Sequence, residues 1–253
     1  MNSILLGTLG GLISCLSTCA GAVPTLFRKS TSSENLWKFV GLDFTLGMML
    51  AASAFSLILP AFRGVAGAAI SVAGFVLLAL IGGLVFIHFL GKYIYSMQSQ
   101  EVHDSKKQTR AWLFVTAMMI HNFPEGLASG ASLNVENLRA GLAILGSISL
   151  QNLPEGLMTA IAFQALGMST RKAFFGAVLT GMMELTGGFV GGALTSFTHQ
   201  SLPFILAFAG GAMLFVSARE LWEQSQGRPE EVVRKPSFAV GFLLMASMSF
   251  FSF

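Results

Sequence analysis

Two similar polar segments interrupt apolar stretches of the sequence, HNFPEG at 121–126 and QNLPEG at 151–156. Ionisable side chains are costly inside a membrane-spanning helix and usually serve a function there. In each segment the glutamate follows a histidine or glutamine by four positions and an asparagine by three. On a helix these spacings place the side chains on neighbouring stripes of one face. The pattern therefore predicts two adjoining polar clusters built from two helices.

The residue types in these clusters are those that bind metal ions. The candidate ligands are His121, Asn122 and Glu125 from the first segment, Gln151, Asn152 and Glu155 from the second, and Glu184 as a third carboxylate from the next apolar segment. One imidazole with several carboxylate and amide oxygens suits a divalent transition metal ion. The set contains no cysteine, which argues against a closed structural zinc site.

Each polar segment also contains a proline, Pro124 or Pro154. Proline has no N–H, so the carbonyls of Ile120 and Leu150 lose their usual helical donor. Irregular backbone at membrane depth is tolerated where it is buried in protein or lines a cavity, and transporters often place ion sites there. Because consecutive spanning helices run antiparallel, we expect the two kinks to face each other about a local two-fold axis.

The composition is that of a polytopic membrane protein. Hydrophobic residues make up 53% of the 253 residues and charged residues only 11%, whereas soluble domains contain about 25% charged residues. Since a spanning helix needs about 20 mostly apolar residues, the sequence predicts an all-α membrane protein, a single domain over 1–253. The eight predicted transmembrane helices are 3–26, 40–62, 68–91, 111–133, 138–165, 172–195, 201–222 and 236–253.

The distribution of positive charge predicts the orientation. With both termini outside, all lysines and arginines except Arg63 and Arg139 fall in inside loops or at inside helix ends, as the positive-inside rule requires. Short loops favour a prokaryotic cytoplasmic membrane. The positive residues are scattered through these loops, so the sequence does not predict nucleic-acid binding.

The two polar segments resemble the signature of helices 4 and 5 in the ZIP (Zrt/Irt-like) metal transporters. GMMLAASAFSLILPAF at 47–62 and AGGAMLFVSAREL at 209–221 are similar to helices 2 and 7 of the bacterial members. The resemblance implies an eight-helix bundle with helices 4 and 5 at its centre, and import of zinc, iron, manganese or cadmium into the cytoplasm. It implies that the seven residues named above are metal ligands, and that Ser56 adds an oxygen at the edge of the site.

Two positions depart from the family pattern. Many members have a histidine in place of Gln151 and some have an aspartate in place of Asn152, so this chain lacks two strong ligands. The metal is expected to be cargo and not a cofactor. The other expected partners are the lipid bilayer and a second copy of the chain, for which GGFVGGA at 187–193 offers a small-residue face.

Two other functions use the same residues. A proton- or sodium-coupled carrier could use the buried glutamates without a divalent metal. An intramembrane zinc hydrolase would need about three protein ligands, an open coordination position and a general base. The sequence has no HExxH motif and offers no evident substrate site, so an enzyme is not expected.

Overall fold

Every regular element is a helix in the residues that the structure, a computed structural model, describes, namely 2–27, 34–101, 106–134, 137–197, 201–225 and 235–251. We number eight helices in chain order: α1 (Ser3–Ala22), α2 (Glu34–Ala51 continued by Ala52–Ile58 and Leu59–Arg63), α3 (Ile70–Glu101), α4 (Lys106–Ser132), α5 (Leu138–Ala165), α6 (Thr170–Phe197), α7 (Leu202–Gln224) and α8 (Pro236–Phe251). A short helical turn, Pro24–Phe27, follows α1.

The predicted all-helical fold and the number of helices are confirmed. The bounds of α5 agree with the sequence prediction, whereas α2 begins earlier, at Glu34, and α3 continues to Glu101. Hydropathy measures how apolar a segment is. A helix can continue into polar sequence until a residue breaks it. Residues 92–101 contain neither proline nor glycine, so α3 continues beyond its apolar part.

Five of the helices in the described ranges are long and apolar enough to cross a membrane: Ser3–Phe27, Asp43–Arg63, Ile70–Tyr93, Thr170–Phe197 and Leu202–Glu223. Helix α5 does not reach that apolar character, because its polar segment at 151–156 lies in the middle of it. The predicted orientation stays a prediction, since several of the cations that support it, such as Arg28, Lys29 and Arg228, lie outside the described residues.

The helices pack as two groups of four. In one group α1 and α4 pack on α6, and α1 also packs on α5; in the other, α3 packs on α7 and α2 on α8. The two groups meet mainly where α4 lies against α7 and where α2 lies against α5. Both polar segments and Glu184 therefore belong to the first group.

Close backbone packing in the first group depends on glycine. Gly188 and Gly192 of α6 face Gly11 and Gly7 of α1, and Gly191 faces the Leu127 carbonyl of α4, with no room for a Cβ atom. The glycines of GGFVGGA are thus covered within the chain. Their predicted use as a dimer surface is wrong, because α1 and α4 already occupy that face. A homodimer stays a prediction without an assigned surface.

Helix α2 contains a π-helical segment, Ala52–Ile58, that the sequence analysis missed. Ser53 and Leu57 of this segment are buried, and Leu57 packs in the largest apolar core cluster with Ile148 of α5 and Leu206 of α7. Segments of this kind are rare and frequently lie at functional sites. Its position places an irregular part of α2 at the contact between the two helix groups.

The glycine packing makes a testable prediction. We expect Gly188→Ala to lower the free energy of unfolding by about 1–3 kcal/mol, since a methyl group there overlaps the α1 backbone. Gly146 of α5 is the matched control, because nothing lies within 4 Å of a Cβ at that position. Gly146→Ala should leave stability unchanged or raise it by up to about 1 kcal/mol. Thermal unfolding in detergent, followed by circular dichroism, measures both; equal melting temperatures would contradict the packing described.

Candidate metal site

Three potential ligands from α4 and α5 meet at the centre of the first helix group. His121 Nε2 lies 3.6 Å from Glu125 Oε1 and 3.7 Å from Glu155 Oε2. One ligand atom from each of these residues lies within 4.8 Å of the other two. All three are almost completely buried, with exposed fractions of 1%, 0% and 2%. A single ion could therefore contact all three side chains. We call His121, Glu125 and Glu155 the triad.

Gln151 extends the triad from the α5 side. Its Nε2 donates a hydrogen bond of 2.6 Å to Glu125 Oε1. This bond fixes the orientation of the side-chain amide, so that the nitrogen faces Glu125 and the carbonyl oxygen, Oε1, is left without a hydrogen-bond partner. The four predicted residues of the first cluster thus come together, as the i, i+4 spacing indicated.

A second cluster adjoins the first and centres on Glu184 of α6. Asn122 Nδ2 donates to Glu184 Oε1 at 3.3 Å, and Asn152 Nδ2 donates to Glu184 Oε2 at 2.7 Å. The two asparagines of the repeated segments therefore each donate to a different oxygen of the same carboxylate. This symmetric sharing is the arrangement expected if α4 and α5 are related by a local two-fold axis.

Hydroxyl groups from α1 complete the second cluster, and the sequence analysis missed them. Thr18 Oγ1 donates to Glu184 Oε1, and Ser14 Oγ accepts from Asn152 Nδ2 at 2.9 Å. Both side chains are buried. The available signal was weak: Ser14 and Thr18 lie four residues apart in an apolar helix, which is also what ordinary small-residue packing produces.

The unpartnered buried atoms of the described residues are concentrated here. Apart from three serine hydroxyls, they all belong to the two clusters: both ring nitrogens of His121, Asn122 Oδ1, Glu125 Oε2, Gln151 Oε1, Asn152 Oδ1 and both carboxylate oxygens of Glu155. Nearly all of these atoms are hydrogen-bond acceptors. A buried acceptor without a donor is costly. A bound cation can satisfy many converging acceptors at once.

The glycine that ends each polar segment brings a neighbouring backbone close. A Cβ at Gly126 would overlap the carbonyl oxygen of Glu184, and a Cβ at Gly156 would overlap that of Thr18. The glycine at the same position of each repeat therefore lets a different helix approach closely, α6 at Gly126 and α1 at Gly156. These approaches let Glu184 accept from both asparagines and let Thr18 donate to Glu184.

The structure brings seven of the eight predicted site residues into the two clusters. Ser56, in the π-helical segment of α2, is buried and shares a hydrogen bond of 2.7 Å with Ser249 of α8. Its partner therefore lies in the second helix group. Helices α4 and α5 continue through Pro124 and Pro154, so the missing N–H groups lie inside both helices, one residue before the glutamates.

A small cavity of about 30 Å³ lies beside Glu155, between α2, α4, α5 and α7. This volume exceeds the minimum of about 10–15 Å³ that one water molecule needs. Met49, Met118 and Met158 form much of its apolar wall, and Glu220 of α7 lies at its margin. The cavity therefore lies between Glu155 of the triad and Glu220 of α7.

Fold and site together define a class, that of all-helical membrane proteins with a buried cluster of metal-ligand side chains. Comparison with known proteins narrows it. The family described as ZIP zinc transporter matches residues 95–249. The chain is 38% identical to the zinc transporter GufA of Myxococcus xanthus, over 94% of this chain and 95% of that protein. The chain belongs to the ZIP family, which confirms the resemblance seen in the sequence.

Other bacterial relatives agree. The chain is 33% identical to the zinc transporter ZIPB of Bordetella bronchiseptica, over 94% of this chain and 78% of that protein. It is also 33% identical to the zinc transporter ZupT of Chlorobium phaeovibrioides, over 97% of each. The family is one of transporters, which supports the prediction that this chain is not an enzyme.

Metal binding at the triad can be measured by thermal stability. Zinc at about 100 times its dissociation constant is expected to add about 2.7 kcal/mol to the free energy of unfolding, because it binds the folded state. His121→Ala should abolish most of that gain. His88→Ala is the control, since His88 is exposed on α3 and packs against Phe89 and Phe215. An equal zinc-induced shift in both variants would contradict a site at His121.

Proposed function

We propose that this protein imports divalent transition metal ions, zinc first among them, into the cytoplasm through the intramembrane site on α4, α5 and α6. The observation that carries the proposal is the convergence of buried acceptor atoms around His121, Glu125 and Glu155. The relatives named as zinc transporters support the choice of zinc. Iron, manganese and cadmium are the other candidate substrates.

In this proposal the triad holds the ion most directly. The imidazole of His121 and the carboxylates of Glu125 and Glu155 supply one nitrogen and several oxygens, a set suited to zinc and its neighbours. The oxygens of Gln151, Asn122 and Asn152 extend the ligand set along the path. Ser56 would have to exchange its bond with Ser249 to reach an ion, so we assign it to the edge of the site.

The nitrogen ligand also favours a transition metal over sodium. Imidazole binds zinc, iron, copper and nickel well, whereas hard alkali and alkaline-earth ions prefer oxygen ligands. A carrier for sodium alone would gain little from His121 between two carboxylates. Because histidine and carboxylate ligands must be deprotonated to bind metal, acidification should weaken zinc binding and metal binding should release protons.

The cavity beside Glu155 suggests the direction of release. Its lining includes Met158 and Thr159, which follow Glu155 in α5, and Glu220 near the C-terminal end of α7. The charge distribution predicts that these ends of α5 and α7 face the cytoplasm, with both termini outside. An ion that leaves the triad through this cavity would therefore move toward the inner side of a cytoplasmic membrane.

The test is metal uptake by proteoliposomes that contain a fluorescent metal indicator. Zinc, cadmium, manganese and iron(II) are added in turn, with and without a proton gradient. We expect saturable uptake by the wild type and only background uptake by Glu125→Gln, which keeps the size of the side chain but removes a charged ligand. Glu223→Gln is the matched control, because Glu223 is exposed and pairs with Arg219 on α7.

Two results would overturn the proposal. One is a folded wild-type protein that transports none of the four metals. The other is equal uptake by Glu125→Gln and Glu223→Gln, which would place the transport path elsewhere. Proton or sodium movement without a divalent ion would instead favour the alternative carrier.

A further inference from the structure

The carboxylate of Glu184 is surrounded by hydrogen-bond donors. Its Oε1 accepts from Thr18 of α1 and from Asn122 of α4, and its Oε2 accepts from Asn152 of α5. Neither oxygen is among the unpartnered buried atoms, in contrast to those of Glu155. Glu184 thus differs from Glu155, since both of its oxygens already accept hydrogen bonds from side chains.

These bonds orient the two asparagine amides. In a planar amide the nitrogen and the oxygen point in different directions, so a bond that fixes one also fixes the other. The nitrogens of Asn122 and Asn152 are held toward Glu184, and the oxygens of both are left unpartnered. Without Glu184, either amide could turn and present a donor, which repels a cation.

Helix α1 holds this arrangement in place. Thr18 is almost fully buried, its carbonyl is in contact with Gly156 of α5, and its side-chain carbons lie 3.4 Å from the Cβ position of Gly181 of α6. The backbone of Thr18 thus packs on α5 and its side chain on α6, and a β-branched side chain has few rotamers open to it. Ser14, one turn earlier, accepts the hydrogen bond from Asn152. The hydroxyl groups therefore come from a rigid helix and not from a loop.

We propose that Ser14 and Thr18 of α1 are positioning residues of the metal site. They act through Glu184 and Asn152 to hold both asparagine oxygens toward the ion, and Glu184 serves as the acceptor that orients these amides. The inference rests on the proposed transport of divalent metal through the triad. It assigns α1, which supplies none of the predicted ligands, a role in ion affinity.

The central variant is Thr18→Val, which keeps the shape of the side chain and removes its donor. We expect the KM for zinc to rise about 10-fold, since partners of metal ligands commonly contribute 10- to 100-fold to affinity. Thr18→Ser, which keeps the hydroxyl, should restore a KM near that of the wild type. Thr180→Val is the matched control: Thr180 is buried one turn before Glu184 and donates only to the Ala177 carbonyl.

A spectroscopic measurement separates positioning from a loss of stability. Cobalt(II) bound in place of zinc has visible absorption bands that change with the ligands and their geometry. We expect Thr18→Val to alter these bands and Thr180→Val to leave them unchanged. Ser14→Ala, a smaller change, should weaken zinc binding in the same direction and serves as the test if Thr18→Val does not fold.

The outcomes are distinct. Tighter zinc binding by Thr18→Val would overturn the inference, because it would mean that Thr18 competes with the ion for Glu184 and does not position the site. An unchanged KM and unchanged cobalt spectrum in Thr18→Val, or in Ser14→Ala when that variant replaces it, would also overturn it. A wild-type protein that neither binds nor transports metal would contradict the proposed function itself, which the proteoliposome assay reveals independently.

Discussion

The scarcity of water in the interior of a helical membrane protein is the constraint on which this structure depends. Every polar atom there must find a partner in the protein or in a bound ion. Around Glu184 the partners are present, since hydroxyl and amide donors surround one carboxylate. Around Glu125 and Glu155 they are not, and acceptors outnumber donors. The carboxylate of Glu184 is therefore satisfied by the protein, whereas those of Glu125 and Glu155 leave acceptor atoms that can hold a cation.

Close helix packing makes this difference between the carboxylates possible. The triad, the asparagines, Glu184 and the α1 hydroxyls all come from α1, α4, α5 and α6, which glycines hold backbone to backbone. In the described part of the chain, none of these cluster side chains comes from the second helix group. The groups touch mainly through side chains, for instance where Gly41 of α2 meets Met158 of α5. A movement of one group against the other would leave the ligand set intact and change only which cavity reaches it.

Local chemistry was predictable from the sequence to the extent that it follows from helical periodicity. The repeated spacing around Glu125 and Glu155 predicted which side chains of α4 and α5 come together, and the bounds of α5 agreed. The long continuation of α3 was not predictable from hydropathy, which records where apolar residues end and not where a helix ends. The π-helical segment of α2 was not predicted, although Pro60 lies two residues after it and removes a helical hydrogen bond.

Features that depend on tertiary contacts could not be found in one sequence. GGFVGGA has the same composition whether it packs against a second chain or against α1 and α4, so the dimer hypothesis chose the wrong partner. Ser14 and Thr18 look like ordinary small residues until Glu184 is placed beside them. Both cases show the same physical limit: periodicity identifies a face of a helix, and only the neighbouring helix determines what that face contacts.

The side-chain amides of Gln151 and Asn152 have a physical role in the site without its ion. A transporter must pass through an ion-free state in every cycle, and its carboxylates must remain stable without the metal charge. Gln151 donates to Glu125 and Asn152 donates to Glu184; an aspartate at 152 would instead place a second carboxylate against Glu184, where like charges repel. The two departures from the family pattern remove strong ligands, but each also supplies a donor that the ion-free site requires. In the proposed site, the same substitutions would therefore weaken binding and stabilise the empty state, and both effects would favour release of the ion.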